Sequence, residues 1–208
     1  MMLTKSKEEL VQEFRVQSIQ EAAMRVIARK GMAAATMSDI AREAGIAKGT
    51  IYLYFRDRDE LVEKTFETAI TELHRRIDAA LEGDATFSAK LRALLSAQME
   101  FFRENREFFR LYMSLRYPEG SPAQQRRQKR ICQPQYRTRV ASLAAILERA
   151  MDAGEIRRMN AARLALLVAE MSIAITIERV MEESPPAAED DIEMIATMIL
   201  QGIGLQHP

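Results

Sequence analysis

The chain has one cysteine, two histidines, eight glycines and six prolines in 208 residues, and each scarcity closes off a class of protein. Cys132 alone cannot form an intramolecular disulfide, so a disulfide-stapled fold is excluded and a reducing cytoplasm fits. With only His74 and His207 there is no Cys/His cluster for zinc, and neither a metal nor a cofactor is expected. The residues from Met1 to Glu8 lack the apolar core of a signal peptide. The longest apolar stretch, Leu164 to Ile177, is interrupted by Glu170 and too short to span a bilayer, so no membrane association is expected. A catalytic constellation is also lacking. There is no Ser/His/Asp or Cys/His arrangement, no Glu-x-x-His pair and no glycine-rich phosphate loop, which argues against an enzyme.

What is present is an ordinary globular composition, 48% apolar and 29% charged, leaning towards helix. Thirty basic and thirty acidic residues cancel, but the first 56 residues hold nine basic against six acidic ones, a mildly cationic head on an acidic body. Apolar residues recur at spacings of three and four almost throughout, so the fold class is all-α, with about nine helices.

A first helix carries Leu10, Val11, Phe14, Ile19, Ala22, Ala23, Val26 and Ile27 on one face and stops at Gly31. Thr36 to Asp39 reads as a capping box that opens a second helix, and Gly45 ends it. A third, from about Ala47 to Phe55, follows, and Asp57 to Glu60 caps a fourth that runs on towards Gly83. Further helices are expected from about Phe87 to Arg103, from Arg106 to Arg116, from Pro122 to Gly154 with a kink at Pro134, from Asn160 to Glu182, and after Pro185-Pro186.

The two short helices after Thr36, joined at Gly45 and packed through Ile40, Ala41, Ala44, Ile46 and Ile51, form a helix-turn-helix pattern. In such a pair the second helix points its first residues at base edges in the DNA major groove. Gly49 would let it approach closely, Lys48 and Thr50 would donate hydrogen bonds, and Tyr52, Leu53 and Tyr54 would border the groove.

Ala22-Ala23, Gly31, Thr36, Ile40-Ala41, Ala44-Gly45-Ile46, Gly49-Thr50-Ile51-Tyr52, Phe55 and Glu60-Leu61 stand in one register, and over residues 14 to 74 the chain resembles TetR-type repressors. The resemblance implies that Thr36 and Tyr54 contact phosphate, that Lys48, Gly49 and Thr50 face bases, and that the start of the fourth helix touches the DNA backbone. Ala47 stands where the family often has Ser, removing a helix cap, and Arg58 stands where it usually has Lys, keeping the charge.

On this reading residues 1–56 are a three-helix DNA-binding domain, and residues 57–208 are a helical domain for ligand binding and dimerisation. The expected partners are a double-stranded DNA operator, a second copy of the chain and a small apolar or amphipathic effector. The eighth helix is apolar on two stripes and the ninth repeats this, so both ask for a partner surface; Ile173, Ile177, Ile195 and Ile199 are the expected dimer contacts. His74, Phe102, Phe109, Tyr112, Arg116, Tyr136 and Met171 are the candidate lining of an effector pocket. The basic run Arg126-Arg127-Gln128-Lys129-Arg130 is a second cationic patch without interleaved aromatics, a pattern more typical of a solvated helix face. The competing readings are an activator, a regulator without inducer, and a helical-bundle carrier or enzyme that binds no DNA.

Overall fold

Ser6 accepts the main-chain N–H of Glu9 at 3.2 Å while its own N–H donates to the Glu9 carboxylate at 2.7 Å, a reciprocal cap that starts helix α1, Lys7–Lys30. The computed structural model describes residues 6–182 and 187–203. Among them it has no strand and eight further helices: α2 (Met37–Glu43), α3 (Lys48–Ile51), α4 (Arg58–Ala80), α5 (Phe87–Glu104), α6 (Arg106–Arg116), α7 (Pro122–Asp152), α8 (Ala161–Met181) and α9 (Ala188–Ile203). None of the described helices is long and apolar enough to cross a membrane.

Local chemistry explains most boundaries. Gly31, Gly45, Gly83 and Gly154 follow α1, α2, α4 and α7 with positive φ, where a side chain would be strained. Asp57 caps α4 by accepting the N–H groups of Asp59 and Glu60 at 3.0 and 2.9 Å, and Asn160 caps α8 by accepting that of Arg163 at 2.9 Å. Pro134 does not end α7: the helix continues through it, losing only the bond its missing N–H would have donated.

The chain packs into two compact units that are not contiguous in sequence. The first comprises Met1–Ala69 and Glu107–Cys132, the second Ile70–Arg106 and Gln133–Pro208, so α4 and α7 each run from one into the other. In the first unit Phe66 of α4 lies against Phe108 and Tyr112 of α6, with ring centroids 5.8 and 6.3 Å away. That aromatic packing is why α6 joins the N-terminal helices. The Arg110 guanidinium also donates to the Ala28 carbonyl at 3.4 Å.

Helix α1 is buried only from Ile19 onwards. Leu10, Val11 and Phe14, expected on its packing face, are exposed instead. A helix of 24 residues is about 36 Å long, and its neighbour α2 has only seven residues to lay against it.

In the second unit α5 lies against both α8 and α9. Arg92 grips Glu193 through two hydrogen bonds of 2.6 and 2.9 Å, Arg179 pairs with Asp191, and Gln98 donates to the Ser172 hydroxyl at 3.1 Å. Of the residues expected at the dimer interface, Ile173, Ile195 and Ile199 are buried within a single chain and Ile177 is half-buried, because the isoleucine stripe of α9 is used inside the unit. The apolar side chains left exposed on these helices are Leu166 and Leu167, Met181, Met194 and Met198.

Cys132 is buried in the first unit, and desolvation pushes its thiol up to about 11. At about pH 8 a thiol-titrating reagent should therefore leave the native chain unlabelled and modify one thiol per chain only after unfolding. Rapid labelling of the native protein would show that α7 opens locally around Cys132.

Candidate nucleic-acid interface

The first unit presents α2 and α3 as a helix-turn-helix. Thr36 caps α2 by accepting the Asp39 N–H at 3.1 Å, and its hydroxyl donates to the Asp39 carboxylate at 2.8 Å. The cap is one-sided, unlike the reciprocal box expected from the sequence, because the Asp39 carboxylate is held elsewhere. It receives the Lys30 ammonium at 2.7 Å and the Arg42 guanidinium at 2.8 Å. The hydrogen bonds from Lys30 and then Thr36 bring the Asp39 carboxyl down to about 2. Glu43 takes Arg29 at 2.9 Å and Arg25 at 3.1 Å, which lower its carboxyl below the usual range. Such exposed pairs add little stability one by one. Together they fix the orientation of α2 on the last turns of α1.

Gly45, at φ 67°, turns the chain, and the Ile46 N–H returns to the Ala41 carbonyl at 3.0 Å. Ile40, Ala41, Ile51 and Phe55 are buried, and Ala44 and Ile46 half-buried, so the expected apolar set does pack the two helices together. Helix α3 is shorter than its expected reach to Phe55. After Ile51 the N–H groups of Leu53 and Tyr54 bond the carbonyls three residues back, at 3.1 Å each, and the chain winds out in tight turns. Ala47 opens α3 with no side-chain hydrogen bond, as its methyl group requires.

On the outer surface of α3 and the turns after it, Ala47, Lys48, Gly49 and Tyr52 are exposed, Thr50 and Tyr54 are half-buried, and Leu53 is 81% exposed. Thr36 is exposed as well. The Lys48 side chain has no hydrogen bond or ion pair among the described residues, whereas Arg25, Arg29, Lys30, Arg42 and Arg56 are each paired with a carboxylate. A Cβ added at Gly49 would meet nothing within 4 Å, and its backbone is not of the left-handed kind. No demand inside the chain calls for glycine there.

Arg58 is the candidate DNA-backbone contact at the start of α4. Its guanidinium turns inward and donates to the carbonyls of Met32, at 2.8 Å, and Ala35, at 3.1 Å. These carbonyls belong to the α1–α2 connection and have no helix to satisfy them, so one guanidinium nitrogen, Nη1, fastens the approach to Thr36. The sequence reasoning also missed a shallow groove in which Lys7, Val11 and Gln12 of α1 border Leu53 and Tyr54. Its signal was the apolar pair Leu10-Val11 so close to the start of α1.

The seven candidate effector contacts do not gather in either unit. Phe109, Tyr112 and Arg116 belong to the first, His74, Phe102, Tyr136 and Met171 to the second. Phe102, Phe109 and Tyr112 are core residues. Burial and the nearby Arg139 push the His74 imidazole below its ordinary value, and the Tyr136 hydroxyl is bonded to Glu170. A cavity of about 460 Å³ in the second unit has apolar walls at Met99 and Val180 and guanidinium groups from Arg103, Arg106 and Arg179, and none of the seven lines it.

Residues 19–65 match the family model described as bacterial regulatory proteins, tetR family. The HTH-type transcriptional regulator YhgD of Bacillus subtilis is 22% identical over 185 residues, 89% of this chain and 94% of that protein. Among solved structures, the TetR family transcriptional regulator PfmR of Thermus thermophilus is 25% identical with a TM-score of 0.69, covering 91% of this chain and 99% of that one. The transcriptional regulator FadR of Bacillus subtilis, in complex with stearoyl-CoA, is 21% identical with a TM-score of 0.75, covering 90% of this chain and 98% of that one.

Gly49→Ala separates an outward role from an inward one. The substitution should leave thermal stability unchanged or raise it, by roughly 0.5–1 kcal/mol on helix propensity, while weakening binding to a selected DNA site at least about tenfold. Lys48→Ala should weaken binding without altering the melting temperature. A Gly49→Ala protein that melts earlier would make the glycine structural.

Proposed function

We propose that this chain, whose residues 19–65 match the family model of tetR-type bacterial regulatory proteins, acts as a dimeric repressor whose hold on an operator is released by an amphipathic small molecule. The observation that carries the reading is the surface of α3, where an exposed lysine paired with no carboxylate and a glycine with no internal reason to be one stand side by side. Lys48, Gly49 and Thr50 then read bases, Thr36, Ala47, Tyr52 and Tyr54 lie along the phosphates, and Arg58 acts as a positioning residue that holds the approach to Thr36. The functional head is residues 1–56, the rest serves sensing and assembly, and the protein works in the cytoplasm.

Dimerisation is supported by what α8 and α9 leave uncovered. Leu167 is 60% exposed and Met198 61%, with Leu166 and Met194 also exposed on the same two helices. An apolar surface of this kind is covered when two copies meet, and a twofold pair presents two α3 helices to the two half-sites of an operator.

The effector side draws on the stearoyl-CoA complex of the structurally similar FadR and on the cavity between apolar Met99 and Val180 and cationic Arg103 and Arg106. An acyl thioester has the matching chemistry, an apolar chain with an anionic end. It releases DNA only by binding the released form more tightly than the bound one. Helix α4 is the carrier of that change, since it starts at Arg58 and continues to Ala80 as one helix.

Two experiments test this. Sites selected from random duplex DNA should be shifted by the protein and released by micromolar acyl-CoA, with a reporter gene repressed without the ligand; a ligand-indifferent complex would remove the effector half of the reading. The double variant Leu167→Glu/Met198→Glu should sediment as a monomer and bind the same site at least about tenfold more weakly. An unchanged dimer would place the interface elsewhere.

A further inference from the structure

The basic run at the amino end of α7 is unexplained by the fold. From Pro122 to Leu147 the helix has six cationic residues and no acidic one. Arg126, Lys129 and Arg130, spaced by three and four residues, share one face, and all three are exposed. None of the three has an ion pair or a hydrogen bond from its side chain among the described residues. Like charges at this spacing repel one another. The intrachain energetics therefore work against this face.

Its position supplies a reason. Arg127, on the flank of the same turn, is ion-paired with Asp59 in the first turn of α4. The neighbouring Arg58 holds the Met32 and Ala35 carbonyls on the approach to Thr36. All of these residues belong to the first compact unit. The cationic face of α7 is thus fastened to the first turn of α4, next to the residue that holds the approach to Thr36.

We propose that Arg126, Lys129 and Arg130 form a second DNA-contacting site that binds backbone phosphates flanking the operator. This inference rests on the DNA-binding reading given above. The chemistry is point-charge and bidentate attraction to phosphate without base recognition, so it adds affinity and salt dependence and leaves the preferred sequence unaltered. Arg127 stays with Asp59 and orients the helix.

The test uses the full chain and a site selected from random duplex DNA, prepared once trimmed to its nuclease footprint core and once extended by ten base pairs on each side. Binding is measured by fluorescence anisotropy across a salt series for the wild type and for the triple variant Arg126→Gln/Lys129→Gln/Arg130→Gln. A control, Arg75→Gln/Arg149→Gln/Arg163→Gln, removes the same charge from the other unit. On the extended duplex the triple variant should bind on the order of tenfold more weakly, with its salt slope lower by about 0.9 for each phosphate it no longer neutralises. On the trimmed duplex it should match the wild type, and the control should match it on both. An unaltered slope on the extended duplex, or an equal loss on both duplexes or in the control, overturns the proposal and leaves this face to an acidic protein or to solvent. If the wild type selects no duplex at all, the DNA-binding reading fails first and takes this inference with it.

Discussion

A helix of four residues cannot hold itself. Nucleation of an isolated helix is unfavourable, and one turn has too few internal bonds to offset it. Helix α3 exists because Ile51 and Phe55 are buried beneath it, against Ile40 and Ala41 of α2, and because Gly45 lets the chain turn back at the required place. The outward surface of α3 depends on that small apolar contact. The residues that face outward on α3 contribute almost nothing to its persistence, which leaves them free to be chosen for recognition.

Charge in the first unit follows the same division. Most of its cations are occupied: Arg25 and Arg29 by Glu43, Lys30 and Arg42 by Asp39, Arg127 by Asp59, and Arg58 by two carbonyls. The mild positive excess visible in the first 56 residues is therefore a poor guide to where DNA is attracted. The cations that count are those without a carboxylate within reach, and pairing of that sort is decided by tertiary structure.

Much of the fold was legible in the sequence because its boundaries are local chemistry: Gly31, Gly45 and Gly154 at helix ends, Asn160 and Asp57 as caps, and the three-and-four spacing of apolar residues between them. The helix-turn-helix was legible for the same reason, since Ile40, Ala41, Ile46 and Ile51 lie within twelve residues of one another. What could not be read was which of two apolar stripes a helix would spend on its own chain. Ile195 and Ile199 looked available for a partner, yet α5 covers that side and leaves Met194 and Met198 outside. Arg58 was likewise beyond reach: its charge suggested phosphate, while the two bare carbonyls that claim it lie more than twenty residues away. Phe66, Phe108 and Tyr112 are similar, an aromatic core assembled from segments about forty residues apart.

That last contact has a bearing on how the protein is made. The first unit is assembled from two stretches separated by α5, with its aromatic core closed by residues of α6. As the chain leaves the ribosome amino end first, the helix-turn-helix emerges long before Phe108 and Tyr112 do. Domains usually fold as units during synthesis. Here the first unit is complete only when the chain has been made as far as Cys132, by which time α5 of the second unit has also appeared. The order of synthesis thus places part of the second unit outside the ribosome before the first is complete.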